Sequence, residues 1–316
     1  MDGLLIIDKP AGLTSHDVVA RVRRVLKIKR VGHTGTLDPF ATGVLVVLIG
    51  RATRLAQFLS NAEKEYEAVI RFGYATDTGD LTGQRLETQG AQNISQGVVP
   101  TFGEREIEAA LESLRGEIEQ VPPMYSAKKV EGRKLYDLAR RGVAVERQAV
   151  KVTIHELEAL RLDGAMLKKN EDGTCDLSIR VVCSAGTYIR TLGEAIGERL
   201  GRPAHLAALR RTRAGSFKLE DGITLDELEE RAEGAQAFLI STDEALRELP
   251  FMHLTADEVR ATLNGVAFVL RDEAAWPEDQ PVRMRNRDGQ LVAIGFYDAA
   301  RRVLRPRVVL FPENKN

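Results

Sequence analysis

The 316-residue sequence predicts a mixed α/β (α+β) fold with a largely antiparallel central sheet, followed by a small β-rich unit at the C-terminus. Two observations carry that prediction. Alternating, strand-like runs and amphipathic, helix-like runs are interleaved without the regular βαβ repeat of a parallel sheet. Beyond about residue 250 the pattern changes to one short helix and four strand-like runs. The expected division is therefore residues 1–250 and residues 252–316.

Each element has a local reason. Residues 3–7 read as a short strand ending in Asp8-Lys9-Pro10. Residues 15–28 place Val18, Val19, Val22, Val25 and Leu26 on one helical face, with Thr14 or Ser15 as the cap. Residues 44–49 form a β-branched apolar run, read as a buried strand, and 51–62 a second helix. Residues 66–72 alternate as a strand, and 76–83, rich in glycine and aspartate, read as an exposed loop. Thr101-x-x-Glu104 has the form of a capping box opening a helix to residue 114, stopped near Gly116. A shorter helix is expected over 134–141, closed by Gly142. Residues 151–162 and 174–184 pair as strands, followed by a helix over 187–200 and a strand over 204–211. After an acidic helical stretch and a linker at 250–255 come a helix over 256–264 and strands near 266–270, 281–286, 291–296 and 303–310.

Composition narrows the class. With 43% hydrophobic and 29% charged residues the chain can bury a sizeable core. No apolar run approaches the ~20 residues of a membrane span, so a cytoplasmic protein without membrane contact is expected. Cys175 and Cys183 fall on one face of a single strand, about 26 Å apart at ~3.3 Å per residue. That excludes a disulfide between them, and both are expected in the core. No C-x-x-C or H-x-x-x-H spacing suggests a metal.

The net charge of −1 hides segregation along the chain. Six cations and no anion lie between Val18 and Leu37. Residues 125–151 carry eight cations against three acids. Arg202, Arg210, Arg211, Arg213 and Lys218 form a third basic group, whereas residues 220–248 hold ten acids and two arginines. Singly, such clusters are ordinary solvated faces. Three of them, one running straight into a glycine-flanked loop, suit a polyanion such as nucleic acid.

That loop, Gly32-His33-Thr34-Gly35-Thr36-Leu37-Asp38-Pro39, puts one carboxylate between two core elements, where a scaffold can fix a reactive group. Asp-Pro is also a common turn starter or helix cap, but a strand beginning near Val44 leaves little room for a helix that Asp38 could cap. In Gly186-Thr187-Tyr188-Ile189-Arg190, a cap at Thr187 sets Arg190 in a first helical turn, where a cation opposes the dipole by roughly 0.3–1 kcal/mol. Either Glu194, four residues on, or a distant carboxylate such as Asp38 must hold it. Tyr66 either packs at a strand start or offers a ring for a base to stack on. His33 is either structural or a flat ring able to replace a base in a stack. Walker A, G-x-S-x-G and dinucleotide fingerprints are absent from the sequence. A two-carboxylate glycosidase built on Asp38 and Asp80 fits poorly with a single Trp.

The loop followed by Ala41-Thr42-Gly43 closely resembles the TruB family of tRNA pseudouridine-55 synthases. The resemblance extends through Asp8-Lys9-Pro10, Tyr66, Thr76-Asp77-Thr78-x-Asp80, 123–127, 186–191, Ala204-His205 and Leu209-Arg210-Arg211. It implies a pseudouridine-synthase fold over residues 3 to about 213, an RNA-clamping insertion at about 125–151, and a PUA-like RNA-binding tail. The implied reaction turns a T-loop uridine of tRNA into pseudouridine after base flipping. Asp38 would act at the ribose C1′, at the uracil C6 or through a glycal. Arg190 would hold Asp38 ionised, and Tyr66 would stack on the uracil and handle the C5 proton. The implied substrate-binding residues are His33, Lys9, Asp80, Tyr188, Leu209 and Arg30. No cofactor, metal or guide RNA is implied, and a monomer is expected. A binding protein with an inactive pocket is the competing class.

Overall fold

The computed structural model describes residues 1–86, 101–125, 129–130, 133–134, 146–270 and 276–310. The strands in chain order are β1 (Gly3–Lys9), β2 (Val31–His33), β3 (Thr42–Ile49), β4 (Lys64–Phe72), β5 (Gly116–Gln120), β6 (Lys129–Val130), β7 (Arg133–Lys134), β8 (Val150–Ala159), β9 (Leu167–Lys169), β10 (Cys175–Cys183), β11 (Ala204–Ala214), β12 (Phe217–Lys218), β13 (Phe251–His253), β14 (Phe268–Val269), β15 (Pro281–Arg285), β16 (Leu291–Asp298) and β17 (Val303–Val309). The α-helices are α1 (Ser15–Leu26), α2 (Ala56–Leu59), α3 (Glu104–Glu112), α4 (Ile189–Arg199), α5 (Leu225–Glu230) and α6 (Ala256–Leu263).

One ten-stranded sheet runs β1-β3-β11-β4-β10-β8-β5, with β2 on β3, β9 on β10 and β12 on β11. Its pairings are antiparallel except β11 on β3, where Arg210 faces Thr42 and Arg211 faces Gly43. The predicted fold class therefore stands. Gly43 makes this crossing possible: its φ is +100°, and a Cβ there would lie 2.2 Å from the Arg211 carbonyl oxygen.

Three apolar layers hold the sheet. Val18 and Val22 of α1 pack with Leu5, Ile7, Leu45 and Val47; each such fully buried aliphatic contributes about 1.5–3 kcal/mol. The opposite face of β1 and β3 buries Leu4, Ile6, Val46 and Leu48. Helices α3 and α4 cover the other half with Ile107, Leu111, Leu192 and Ile196 against Ile70, Phe72 and Leu177. Cys175 and Cys183 are both buried, as expected.

Several expectations need correction. Thr14 alone caps α1, through a reciprocal capping box with Asp17. His33 lies in strand β2 rather than in the loop, because β2 continues the ladder on β3. The helix expected at 51–62 is a 3₁₀ segment, Gly50–Leu55, followed by one turn of α-helix. The Thr101 box does not form: Gly103 is the cap, and its N–H donates to Glu106 at 2.6 Å. Helix α4 starts at Ile189 with Tyr188 as cap, and the Thr187 hydroxyl instead donates to the Ser184 carbonyl at 2.9 Å. Strand β5 fell in no predicted element because its Glu-rich face is open to solvent. The linker expected at 250–255 contains β13, paired in parallel with β15. Residues of the helix expected at 134–141 beyond Lys134, and most of the 125–151 insertion, lie outside the described residues.

The second sheet, β13-β15-β16-β17-β14, has its own core of Leu254, Val282, Met284, Val292 and Leu304. Leu291, Ile294 and Val308 pack with Leu55 and Leu246, and Arg54 donates to the Val309 carbonyl at 2.7 Å.

Candidate active site

The Asp38 loop is fixed by neighbours on both sides. The Leu37 N–H donates to the Ser15 hydroxyl at 2.9 Å, and that hydroxyl lies 3.2 Å from the Leu37 carbonyl. Gly12 donates to the Pro39 carbonyl at 2.8 Å. Lys9 is fully buried, with its ammonium donating to the carbonyls of Pro10, Leu13 and Pro39 at 2.8, 2.7 and 3.3 Å. Burial pulls it down to about pKa 8. Expected among the substrate-binding residues, Lys9 instead clamps the back of the loop, because no face of it is open to a ligand.

Across the sheet, Arg190 lies in the first turn of α4 and reaches Asp38 side-on, with Nε at 3.0 Å from one carboxylate oxygen and a terminal nitrogen at 3.3 Å from the other. The guanidinium goes to Asp38, not to Glu194, and this ion pair outweighs the unfavourable dipole term. Its remaining donors go to the carbonyls of Thr78 (2.9 Å) and Tyr125 (2.6 Å), and Asp80 lies 3.5 Å behind. Arg190 is buried, while the Asp38 side chain remains 33% exposed, so the carboxylate is the open end of the pair. Burial, helped by the Asp80 charge, pushes Asp38 above the usual aspartate range, while Arg190 and Lys9 pull it back. Arg190 thus opposes protonation, as expected, without cancelling the cost of burial.

The loop at 76–83 is not exposed at its centre. Asp80 is buried, accepting from the Thr78 hydroxyl and from the backbone and hydroxyl of Thr82. It backs Arg190 instead of meeting a ligand directly.

Asp38, Tyr66, Tyr188, Arg190 and Leu209, five of the nine expected site residues, line one pocket of about 270 Å³. Gln120 brackets Tyr188, accepting its N–H at 2.9 Å and donating to its carbonyl at 3.3 Å. His33 lies beside this pocket without lining it, its ring edge-on to His16 with centroids 5.5 Å apart. Burial lowers His33 to about pKa 4, which leaves a neutral ring at pH 7. Arg30 is exposed on the surface and donates to the Thr53 hydroxyl at 2.6 Å, outside the pocket.

Two lining cations were not among the expected site residues. Lys64 precedes Tyr66 by two positions on β4, so period-2 alternation aims both inward; its ammonium donates to the Ser60 and Ala62 carbonyls, both at 2.5 Å. Burial, reinforced by Arg211, lowers Lys64 to about pKa 8. Arg211 follows Leu209 by two on β11 in the same way. Of the basic helix, Arg21 is paired with Asp226 and Glu229 of α5, while Arg23 and Arg24 are exposed.

The N-terminal domain of the TruB family of pseudouridylate synthases matches residues 23–189. The chain belongs to the TruB family. A tRNA pseudouridylate synthase B C-terminal domain matches residues 190–249. Among TruB relatives, the tRNA pseudouridine synthase B of Geobacillus thermodenitrificans (strain NG80-2) is 45% identical over 95% of this chain and 96% of its own length. That of Geobacillus kaustophilus (strain HTA426) is 46% identical over 84% and 90%. Among solved structures, an H/ACA ribonucleoprotein bound to a substrate RNA containing 2′-deoxyuridine matches with a TM-score of 0.72 at 26% identity, covering 99% of this chain and 86% of that one. The archaeal box H/ACA Nop10-Cbf5 complex matches at 0.70 and 27%, covering 99% and 87%. TruB membership makes the chain a pseudouridylate synthase, an isomerase with the expected fold.

Among the described residues no group of His, Cys, Asp or Glu forms a metal cage, and no helix is long and apolar enough to cross a membrane.

Proposed function

We propose that this chain converts the T-loop uridine at position 55 of tRNA to pseudouridine, as a cytoplasmic monomer working without a guide RNA. The observation that carries this reading is the open Asp38 carboxylate, held by buried Arg190 in a pocket shared with Tyr66 and Leu209. Bacterial relatives named tRNA pseudouridine synthase B, alike over nearly their whole length, support tRNA as the substrate.

A uracil stacked in a folded loop is out of reach of a carboxylate, so the nucleotide is flipped at a cost of a few kcal/mol. The neutral His33 ring fills the vacated space, and Arg23, Arg24 and Arg30 meet phosphates nearby. In the pocket Tyr66 stacks on the uracil, with Leu209 and Tyr188 forming its walls. Asp38 initiates cleavage of the N1–C1′ bond, the uracil turns, and C5 bonds to C1′. The C5 proton leaves and N1 ends protonated, so atoms balance without an electron or phosphoryl donor. Arg190 orients the carboxylate, while Lys9 and Asp80 act one layer behind. Residues 1–250 form the catalytic unit, with the RNA-clamping insertion at about 125–151, and residues 252–316 a PUA-like RNA-binding unit.

Mapping pseudouridine in total tRNA from cells with and without this protein tests the reading. The expected result is loss of one T-loop pseudouridine and its restoration by the purified protein on unmodified tRNA. An unchanged map, with salt-dependent tRNA binding and no modified base, would leave the competing binding protein.

A further inference from the structure

We propose that Arg211 is a positioning residue of the reaction, tying the Tyr66 hydroxyl to the backbone that carries Asp38 so that phenol and carboxylate keep a fixed spacing across the pocket. The proposal rests on the reading above that Tyr66 and Asp38 act on one nucleotide.

Arg211 is a charged side chain with 3% exposure, and its surroundings explain why burial is tolerated. Its Nε donates to the Val44 carbonyl at 2.6 Å and a terminal nitrogen to the Gly35 carbonyl at 3.1 Å. Arg211 stands directly opposite Tyr66 in the β11–β4 ladder and lines the same pocket, and its charge pulls against the rise that burial gives the Tyr66 phenol. One planar group therefore bonds β3 and the start of the Asp38 loop from a position facing Tyr66 on the neighbouring strand. Among the described residues no carboxylate lies within ion-pairing distance of it. A buried guanidinium held by neutral acceptors is costly unless every donor has a fixed partner. A core Leu or Met would fill the same space at lower cost, which argues for a role in alignment. Lysine cannot replace the planar fork, because a single ammonium cannot span the same acceptors in the same geometry.

The surroundings support alignment more than substrate contact. Gly43, pressed against the Arg211 backbone, fixes where the side chain starts. Gly35 faces its guanidinium, 3.7 Å from the place of a Cβ, so loop and guanidinium are in close register. A shift of about 1 Å in such an arrangement costs on the order of 10²-fold in rate.

The test compares wild type with Arg211→Lys and Arg211→Gln. The readouts are single-turnover pseudouridine formation on unmodified tRNA, tRNA affinity, and the ¹⁹F spectrum of fluorotyrosine-labelled protein, with Tyr66→Phe assigning the resonance. The expected result is a rate lower by roughly 10- to 100-fold, tRNA affinity within twofold, and a displaced Tyr66 resonance in Arg211→Lys. Should Arg211→Gln fail to fold, the lysine variant alone decides. A lysine variant with wild-type rate, with affinity falling in step with rate, or with an unmoved Tyr66 resonance overturns the assignment. A wild-type protein that forms no pseudouridine overturns the functional reading instead, and the ¹⁹F comparison still reports whether Arg211 holds Tyr66.

Discussion

The pocket and the seam before the second sheet are built from the same residue pair in opposite proportions. In the pocket one buried guanidinium, Arg190, faces two carboxylates, Asp38 and Asp80. At the seam one carboxylate, Asp243, faces two guanidiniums, Arg283 and Arg285. Arg283 spends its other donors on the carbonyls of Leu249, Arg247 and Asp243 at 2.9, 3.0 and 3.2 Å. A surplus of donors around one acceptor makes a structural clasp. A surplus of acceptors around one donor leaves a carboxylate with a raised pKa facing a cavity. Burial together with stoichiometry, rather than the presence of an Arg–Asp pair, sets the pocket cluster apart from the clasp: Arg180 also meets three carboxylates, yet Glu65 there is held below the usual glutamate range by its hydrogen bonds and charge partners.

The sharpest way to break this comparison is Asp38→Asn. Activity falls by roughly 10³-fold or more, within the range for a lost acid–base or nucleophilic group, while tRNA affinity changes little. Charge reversal at Arg23 and Arg24 should weaken binding more than Asp38→Asn does, which filter binding across salt concentrations would show. Next comes Arg190→Gln, with a loss on the order of 10²-fold and a moved pH profile. On the proposed role Asp38 acts in its ionised form, and because burial raises its pKa above the ordinary aspartate value of 3.8, the acid limb of kcat/KM is expected above that value. Without the guanidinium that limb moves higher still, and a limb that stays put or falls would remove the electrostatic role of Arg190.

Arg283→Met probes the other side. Breaking a clasp whose carboxylate is partly exposed costs about 2–4 kcal/mol, seen as a lower midpoint of thermal unfolding with the rate of the folded fraction unchanged. A slowed chemical step would erase the contrast between the two clusters. The smallest effect is expected at His33. With its pKa near 4, the ring is neutral above that pH and supplies shape, so His33→Phe keeps more activity than His33→Ala.

Legibility in the sequence followed local periodicity. Helix α1, strands β1, β3, β4, β10 and β11, and the tail strands β14 to β17 were readable because each carries its own apolar alternation or cap. Strand β2 was not: three residues in a glycine-flanked run pair only because β3 lies beside them. The candidate site was readable in part. Asp38 and Arg190 stood out as a loop carboxylate and a cation at the wrong end of a helix, although 152 residues separate them. Asp80 read as exposed because a Thr-Asp-Gly loop has no apolar marker, yet a bridge between Asp80 and Leu206 draws it under the sheet. Lys64 and Arg211 were not placed in the pocket because charged residues in alternating strands are ordinarily placed outward. The inward phase of Tyr66 and Leu209 was the available signal.

Strand β11 lies between β3 and β4, which are consecutive strands in the sequence, and its wedge position has a temporal consequence. During synthesis the carboxylate leaves the ribosome with the first forty residues, but the gap between its two flanking strands stays unfilled until residue 211 has emerged. A nascent fragment lacks both the far wall and the guanidinium clamp. On the proposed function, turnover needs a chain that extends at least through β11, and a product released before that strand lacks one wall of the pocket.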